Sequence, residues 1–249
     1  MNDTGAAIAA CQGHESSFPT ARGAMLYDAS RIDQPEDGLF ELDAWRRRGA
    51  VEQLAGGRGA IAFLRDGPRR WVLRHYRRGG AVASILGDRY FFIGADRTRA
   101  FREWRLLRKL AVLGLPAPRA VAARYVRSAA FYTADLLTEE LPSRLTLAQA
   151  LQDRALPAER WTDVGRCIRA FHAYGVCHAD LNAHNIVLGA GRDVYLLDFD
   201  RGRVRPRGAW ELRVLDRLKR SLDKVTRALP SDRFGEREWQ ALLEACRSA

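Results

Sequence analysis

Lysine is nearly missing from this 249-residue chain: Lys109, Lys219 and Lys224 are the only three among 41 basic residues. Its basic character therefore rests on arginine, whose planar fork binds phosphate or carboxylate bidentately and keeps its charge when desolvated. No apolar run approaches the 18 residues of a spanning helix, which excludes a membrane span of the usual kind. The four cysteines, Cys11, Cys167, Cys177 and Cys246, form no CxxC pair. That spacing speaks against a disulfide-stapled secreted domain and against a zinc site, and it makes a reducing cytosol the expected compartment. The first dozen residues carry Asp3, no Lys or Arg, and only a short hydrophobic stretch, unlike a secretory leader. No internal repeat or low-complexity tract is visible.

What is present is the composition of a globular protein. Hydrophobic residues make up 47% and charged residues 29%, which provides for a sizeable core and argues against wholesale disorder. At this length one two-lobed unit is the expectation. The net charge of +11 can attract nucleic acid, anionic lipid or a phosphorylated substrate, and it does not choose among them.

Along the chain, residues 1–45 read as an irregular extension with Pro19, Pro35 and Gly38, closing on a short segment around Leu42 and Trp45. Residues 46–137 read as a strand-rich lobe. Ala60 to Leu64 and Trp71 to Arg74 are two short strands joined by Asp66-Gly67-Pro68. Phe101, Trp104, Leu107, Leu110 and Ala111 recur at helical spacing until Gly114, Pro116 and Pro118 stop them. Val121 to Val126 and Ala130 to Leu137 then read as strands. Residues 138–249 read as a mainly helical lobe. A helix opens after Pro157 and closes at Gly175, strands lie at 186–188 and 194–197, and further helices span about 209–228 and 235–247. The order predicts an α+β fold, with an antiparallel sheet plus one helix first and helices second.

The chemistry concentrates in His178-Ala179-Asp180-Leu181-Asn182-Ala183-His184-Asn185, followed by Asp198-Phe199-Asp200. His, Asp, Leu and Asn fall at the spacing of the kinase signature H-R-D-L-x-x-x-N, and Asp198 stands where that signature has the Asp of D-F-G. Average residue frequencies make the His, Asp, Asn triplet about a 1% accident in such a chain. Phosphoryl transfer needs a group that takes the attacking hydroxyl's proton, and hard oxygen ligands that hold magnesium on the nucleotide phosphates. Asp180 fits the first need, Asn185 and Asp198 the second. The plainer alternative, that Asp180 and Asn185 only cap turns, does not ask for all of these groups at these distances. His178 reads as a structural hydrogen-bonding residue rather than as the base.

Upstream, Gly57 and Gly59 match the start of a glycine loop whose backbone N–H groups approach phosphates, although a plain hairpin turn uses the same residues. The strand Trp71-Val72-Leu73-Arg74 aligns with the kinase V-A-I-K strand, so Arg74 stands where a lysine pairs the α- and β-phosphates. Glu103 shares a helical face with Leu107 and Leu110, points inward, and needs a cation, for which Arg74 is the candidate. Near the C-terminus, Trp210, Val214, Leu218, Leu222 and Val225 form an apolar stripe, while Arg213, Arg217, Arg220 and Lys224 occupy another face.

The strings Leu73-Arg74-His75-Tyr76-Arg77-Arg78-Gly79-Gly80, Gly114-Leu115-Pro116-Ala117-Pro118-Arg119, His178-Ala179-Asp180-Leu181-Asn182-Ala183 and Leu197-Asp198-Phe199-Asp200-Arg201-Gly202 together resemble the lipopolysaccharide kinase family. Within it, they are similar to the kinases of 3-deoxy-D-manno-octulosonic acid (Kdo). The resemblance spans about residues 50–225 and includes Arg on the strand, Ala in the catalytic loop and DFD for DFG. It implies a protein-kinase-like fold, ATP and Mg2+ as cofactors, and phosphorylation of the 4-hydroxyl of Kdo on a lipid A precursor. It further implies a peripheral protein at the cytoplasmic side of the inner membrane, with the basic helix face turned to anionic headgroups or acceptor and no nucleic-acid partner. A kinase of heptose or another core sugar is the alternative of the same fold; a pseudokinase or a basic nucleic-acid-binding module is more remote.

Overall fold

The computed structural model describes residues 15–55, 61–77 and 87–247. Among these lie an antiparallel eight-stranded sheet and six α-helices, the mixed α and β content that the sequence predicts. The chain divides into two compact units. One takes the described residues up to Leu113 together with Pro118–Glu140, the other takes Gly114–Ala117 and the described residues from Leu141 on.

The first unit is built on strands β1 (Glu15–Thr20), β2 (Gly23–Asp28), β3 (Val51–Ala55), β4 (Ile61–Asp66), β5 (Arg69–His75), β6 (Tyr90–Phe91), β7 (Ala120–Ser128) and β8 (Phe131–Glu139). They lie in the order β1-β2-β7-β8-β5-β4-β3, with β6 also paired to β8. The stretch 1–45, expected to be an irregular extension, instead adds the hairpin β1–β2 to the sheet in its described part. Pro19 lies in β1, an edge strand, where a missing N–H costs no interior ladder bond. Gly23 on β2 passes so near the Tyr125 carbonyl oxygen that any Cβ would collide with it.

Side chains alternate along β5, so Trp71 and Leu73 enter one face of the sheet and Arg74 the other. The first face is covered by a short 3₁₀ turn, Asp37–Phe40, and by α1 (Leu42–Arg47). There Trp45 packs edge-on against Trp71 at 6.0 Å and donates its indole N–H to the Leu39 carbonyl at 3.0 Å. The other face takes α2 (Arg99–Val112), whose Phe101, Trp104, Leu107 and Leu110 are buried, with Phe101 against Tyr125 on β7. This unit therefore has a second helix, α1, beyond the one expected.

The second unit holds α3 (Leu147–Asp153), α4 (Ala158–Ala173), α5 (Trp210–Thr226) and α6 (Glu236–Arg247). It also holds two small ladders, β9 (Val176–Cys177) with β12 (Arg203–Val204), and β10 (Ile186–Leu188) with β11 (Val194–Leu196). Helix α3, which the sequence pattern did not reveal, begins at a reciprocal cap in which Thr146 and Gln149 satisfy each other's backbone N–H groups. The stripe Trp161, Val164, Ile168 and Phe171 on α4 is fully buried. Gly175 ends that segment in a left-handed conformation (φ 67°). Among the described residues no helix is long and apolar enough to cross a membrane.

Candidate functional site

The sequence-predicted residues fall into two groups, one in each unit. In the second unit, the loop between β9 and β10 and the end of β11 are tied to each other by hydrogen bonds. The Leu197 N–H donates to the Asn185 carbonyl at 2.8 Å, while the Leu197 carbonyl accepts from His178 Nε2 at 2.6 Å. His178 Nδ1 accepts the Asp180 backbone N–H at 3.3 Å. A carbonyl only accepts and an N–H only donates, so the ring is the neutral Nε2–H tautomer. Burial lowers its pKa below the ordinary histidine value, outweighing the contact with Leu197 and the nearby carboxylates. His178 thus acts as the structural link read from the sequence, holding the loop of Asp180 to the strand end of Asp198.

The Asp180 carbonyl receives two side-chain amides, Asn182 Nδ2 at 2.8 Å and Asn185 Nδ2 at 3.0 Å. Asn182 also accepts the His184 N–H at 2.9 Å. With its nitrogen engaged by the protein, Asn185 keeps its amide oxygen as the end suited to a hard cation.

Asp198 follows β11 and has φ 61°. For a non-glycine residue this left-handed conformation costs of order 1–3 kcal/mol, less for aspartate than for most. The turn it makes sends Phe199 inward, stacked on Phe171 at 5.5 Å and against His178 at 4.7 Å. The buried ring fixes the strained residue before it.

The side chain of Asp180 has a partner that the sequence did not reveal. Arg217 on α5 donates Nε to Oδ1 at 2.8 Å, and its Nη2 contacts the same oxygen. One helical turn on, the Ser221 hydroxyl accepts the Ala183 N–H at 3.1 Å. Helix α5 is therefore joined to the loop at two points, and Arg217, on the basic face expected to meet headgroups or acceptor, is paired with the loop. The ion pair joins residues 37 apart in sequence, and no local pattern announces it.

In the first unit, Arg74 Nη2 pairs with Glu103 Oε2, the pairing that the inward-facing Glu103 required. Tyr76 donates its hydroxyl to the same oxygen at 2.6 Å. This third member was available from the sequence, since Tyr76 lies two positions after Arg74 and strand alternation places both on one face. Burial first, then the Glu103 charge, raises the Tyr76 pKa well above the usual phenol value, so it stays a donor. Gly57 and Gly59 lie outside the described residues.

Among the described residues no three His, Cys, Asp or Glu side chains cluster as a metal centre. Asn185 and Asp198 fit magnesium, which takes much of its shell from phosphates and water. Desolvation pushes the thiol of Cys246 up to about 12 and that of Cys167 higher still, which keeps both protonated at neutral pH.

Comparison with known proteins adds a pattern over nearly the whole chain. Residues 43–246 match the lipopolysaccharide kinase (Kdo/WaaP) family. A 3-deoxy-D-manno-octulosonic acid kinase of Xylella fastidiosa (strain M12) is 43% identical over 216 residues, covering 86% of this chain and 84% of that protein. Proteins with the same name from Stenotrophomonas maltophilia (strain K279a) and Xanthomonas campestris pv. campestris (strain B100) are 46% and 47% identical over 208 residues, each covering 82% of this chain and 81% of the relative. Among solved structures, the bifunctional kinase-methyltransferase WbdD aligns at 16% identity with a TM-score of 0.45. That alignment takes in 75% of this chain and 42% of the solved one, so the chain spans less than half the length of WbdD.

Proposed function

The chain belongs to the lipopolysaccharide kinase (Kdo/WaaP) family, and from that premise we propose that it transfers the γ-phosphoryl group of ATP to the 4-hydroxyl of a Kdo residue on a lipid A precursor. The two units are read as the lobes of a protein-kinase-like fold. The observation that carries the reading is the second-unit loop, in which His178, Asp180, Asn185 and Asp198 hold the kinase spacing within one hydrogen-bonded frame.

Asp180 is the base. It takes the proton of the acceptor hydroxyl as that oxygen forms its bond to phosphorus and the bridging oxygen of the nucleotide leaves with its electron pair. Asn185 and Asp198 offer oxygen to magnesium, which when bound neutralises phosphate charge and orients the nucleotide. Arg74 supplies the phosphate contact that lysine makes in protein kinases, with its fork oriented by Glu103 and its guanidinium 4.6 Å from the centre of the Tyr76 ring. Gly57 and Gly59 complete the phosphate-side set. Work at the cytoplasmic face of the inner membrane is supported by the net charge of +11 and by Arg213, Arg220 and Lys224, exposed on α5.

The test is an acceptor panel. Purified protein with labelled ATP, magnesium and a Kdo-bearing lipid A precursor should yield labelled lipid, and Asp180→Ala should lower the rate by about 10²- to 10⁴-fold. Label on a heptose-bearing acceptor instead would move the substrate to that sugar, and label on neither acceptor would overturn the reading.

A further inference from the structure

Asp180 rests with one of its carboxylate oxygens, Oδ1, gripped by two donors of Arg217. The two side chains are about half exposed, at 46% and 49%. An ion pair so placed is screened by water and contributes only about 0–1 kcal/mol, so a competing anion can open it. Buried, the same pair would be a structural lock.

The surroundings of Arg217 suit such an anion. On α5, Arg213, Arg220 and Lys224 lie four before, three after and seven after it, spacings that put all four on one helical face. All three are exposed and form no ion pair with the described residues. Asp223 on the neighbouring face is engaged by Lys219 at 3.2 Å. The stripe therefore presents one paired guanidinium at the catalytic loop and unpaired cations on either side of it.

Resting on the functional reading above, we infer that Arg217 is the receptor for the carboxylate of the acceptor sugar, and that Asp180 occupies this receptor until the acceptor arrives. An arginine fork can take a sugar acid's carboxylate bidentately, through both oxygens, where Asp180 offers it only Oδ1. Exchange of one carboxylate for the other docks the acceptor beside the base and releases Oδ1 in the same event. Arg217 is thus a specificity and positioning residue, while Asp180 remains the group that handles the proton.

The experiment compares an acceptor bearing the free sugar acid with the same acceptor converted to its primary carboxamide, in wild type, Arg217→Gln and Arg217→Lys. A charge-assisted contact of this kind is expected to favour the acid by about 10- to 100-fold in kcat/KM in wild type. In Arg217→Gln that preference should vanish through a higher acceptor KM, with the KM for ATP unchanged. Arg217→Lys should restore part of the preference, since it keeps the charge but loses the fork. The unchanged KM for ATP identifies a folded variant. A wild type that labels no Kdo acceptor would overturn the functional reading and this inference together. An active wild type whose Arg217→Gln variant keeps the preference for the acid would overturn this inference alone.

Discussion

Arg74 and Glu103 share a single carboxylate oxygen with a third residue: the oxygen that pairs with the guanidinium also accepts the Tyr76 hydroxyl at 2.6 Å. Glu103 is only 2% exposed, so its charge depends on these partners. Removing one member of a buried pair costs far more than the pair itself contributes. Arg74→Ala is therefore expected to lower the unfolding free energy by about 3 kcal/mol, more than Glu103→Gln, whose neutral amide still accepts the Tyr76 hydroxyl. Urea unfolding monitored by tryptophan fluorescence checks the order. Equal losses in the two variants would refute it.

Arg74 also carries the proposed phosphate contact, and that role separates from stability in Arg74→Lys. Lysine keeps a positive charge near Glu103 but lacks the planar fork. The expected result is an unfolding midpoint closer to wild type than that of Arg74→Ala, with a KM for ATP raised by about 10-fold. An unchanged KM for ATP in both Arg74 variants would remove Arg74 from phosphate binding and leave it a purely structural cation.

The parts of the fold that were legible in the sequence are those in which one face of an element is buried. Helices α2 and α4 carry their apolar residues at helical spacing because each lays one stripe on a core, and β4, β5, β7 and β8 are bounded by clear turn residues. The hairpin β1–β2 was illegible because β1 is an edge strand with almost no buried residue, and its Pro19 reads as an interruption. In the site, the spacing of His178, Asp180, Asn185 and Asp198 survives in sequence because one short loop and one strand end carry all four. Arg217 reaches Asp180 from an exposed helix face, where arginine is the expected residue in any case, and only tertiary structure distinguishes it from its neighbours.

Gly165 sets the approach of two helices. A Cβ there would collide with the Leu242 carbonyl oxygen of α6 and lie 2.7 Å from the Cβ of Ala245. The Gly165 carbonyl in turn accepts the Cys246 thiol at 3.4 Å. Alanine is the better helix former by about 1 kcal/mol, yet here the overpacking cost of about 1–3 kcal/mol prevails. Gly165→Ala should destabilise the protein, and Gly165→Val should do so more strongly. Ala245→Gly should not rescue either variant, because the Leu242 obstacle is backbone. A thermal midpoint for Gly165→Ala at or above the wild-type value would show that α6 shifts at no cost.

His172 gives the protein a dependence on acid whose sign follows from burial. The ring packs edge-on against Trp210 at 5.0 Å, and its Nδ1 lies 3.9 Å from the Glu211 carboxylate. Desolvation outweighs Glu211, which is itself held by Arg207 at 3.0 Å, and brings the His172 pKa down to about 4. The folded state keeps the ring neutral where the unfolded chain, with an ordinary value near 6.5, already binds a proton. Stability from this group is therefore complete above about pH 6.5, declines as pH falls toward 4, and declines no further below that. At 1.36 kcal/mol per pKa unit the loss amounts to about 3 kcal/mol. Urea midpoints measured between pH 7.5 and 4 should fall more steeply for wild type than for His172→Gln, whose amide does not titrate. Parallel curves would show that His172 takes up its proton without unfolding, through a rearrangement that lets Glu211 turn from Arg207 to the imidazolium.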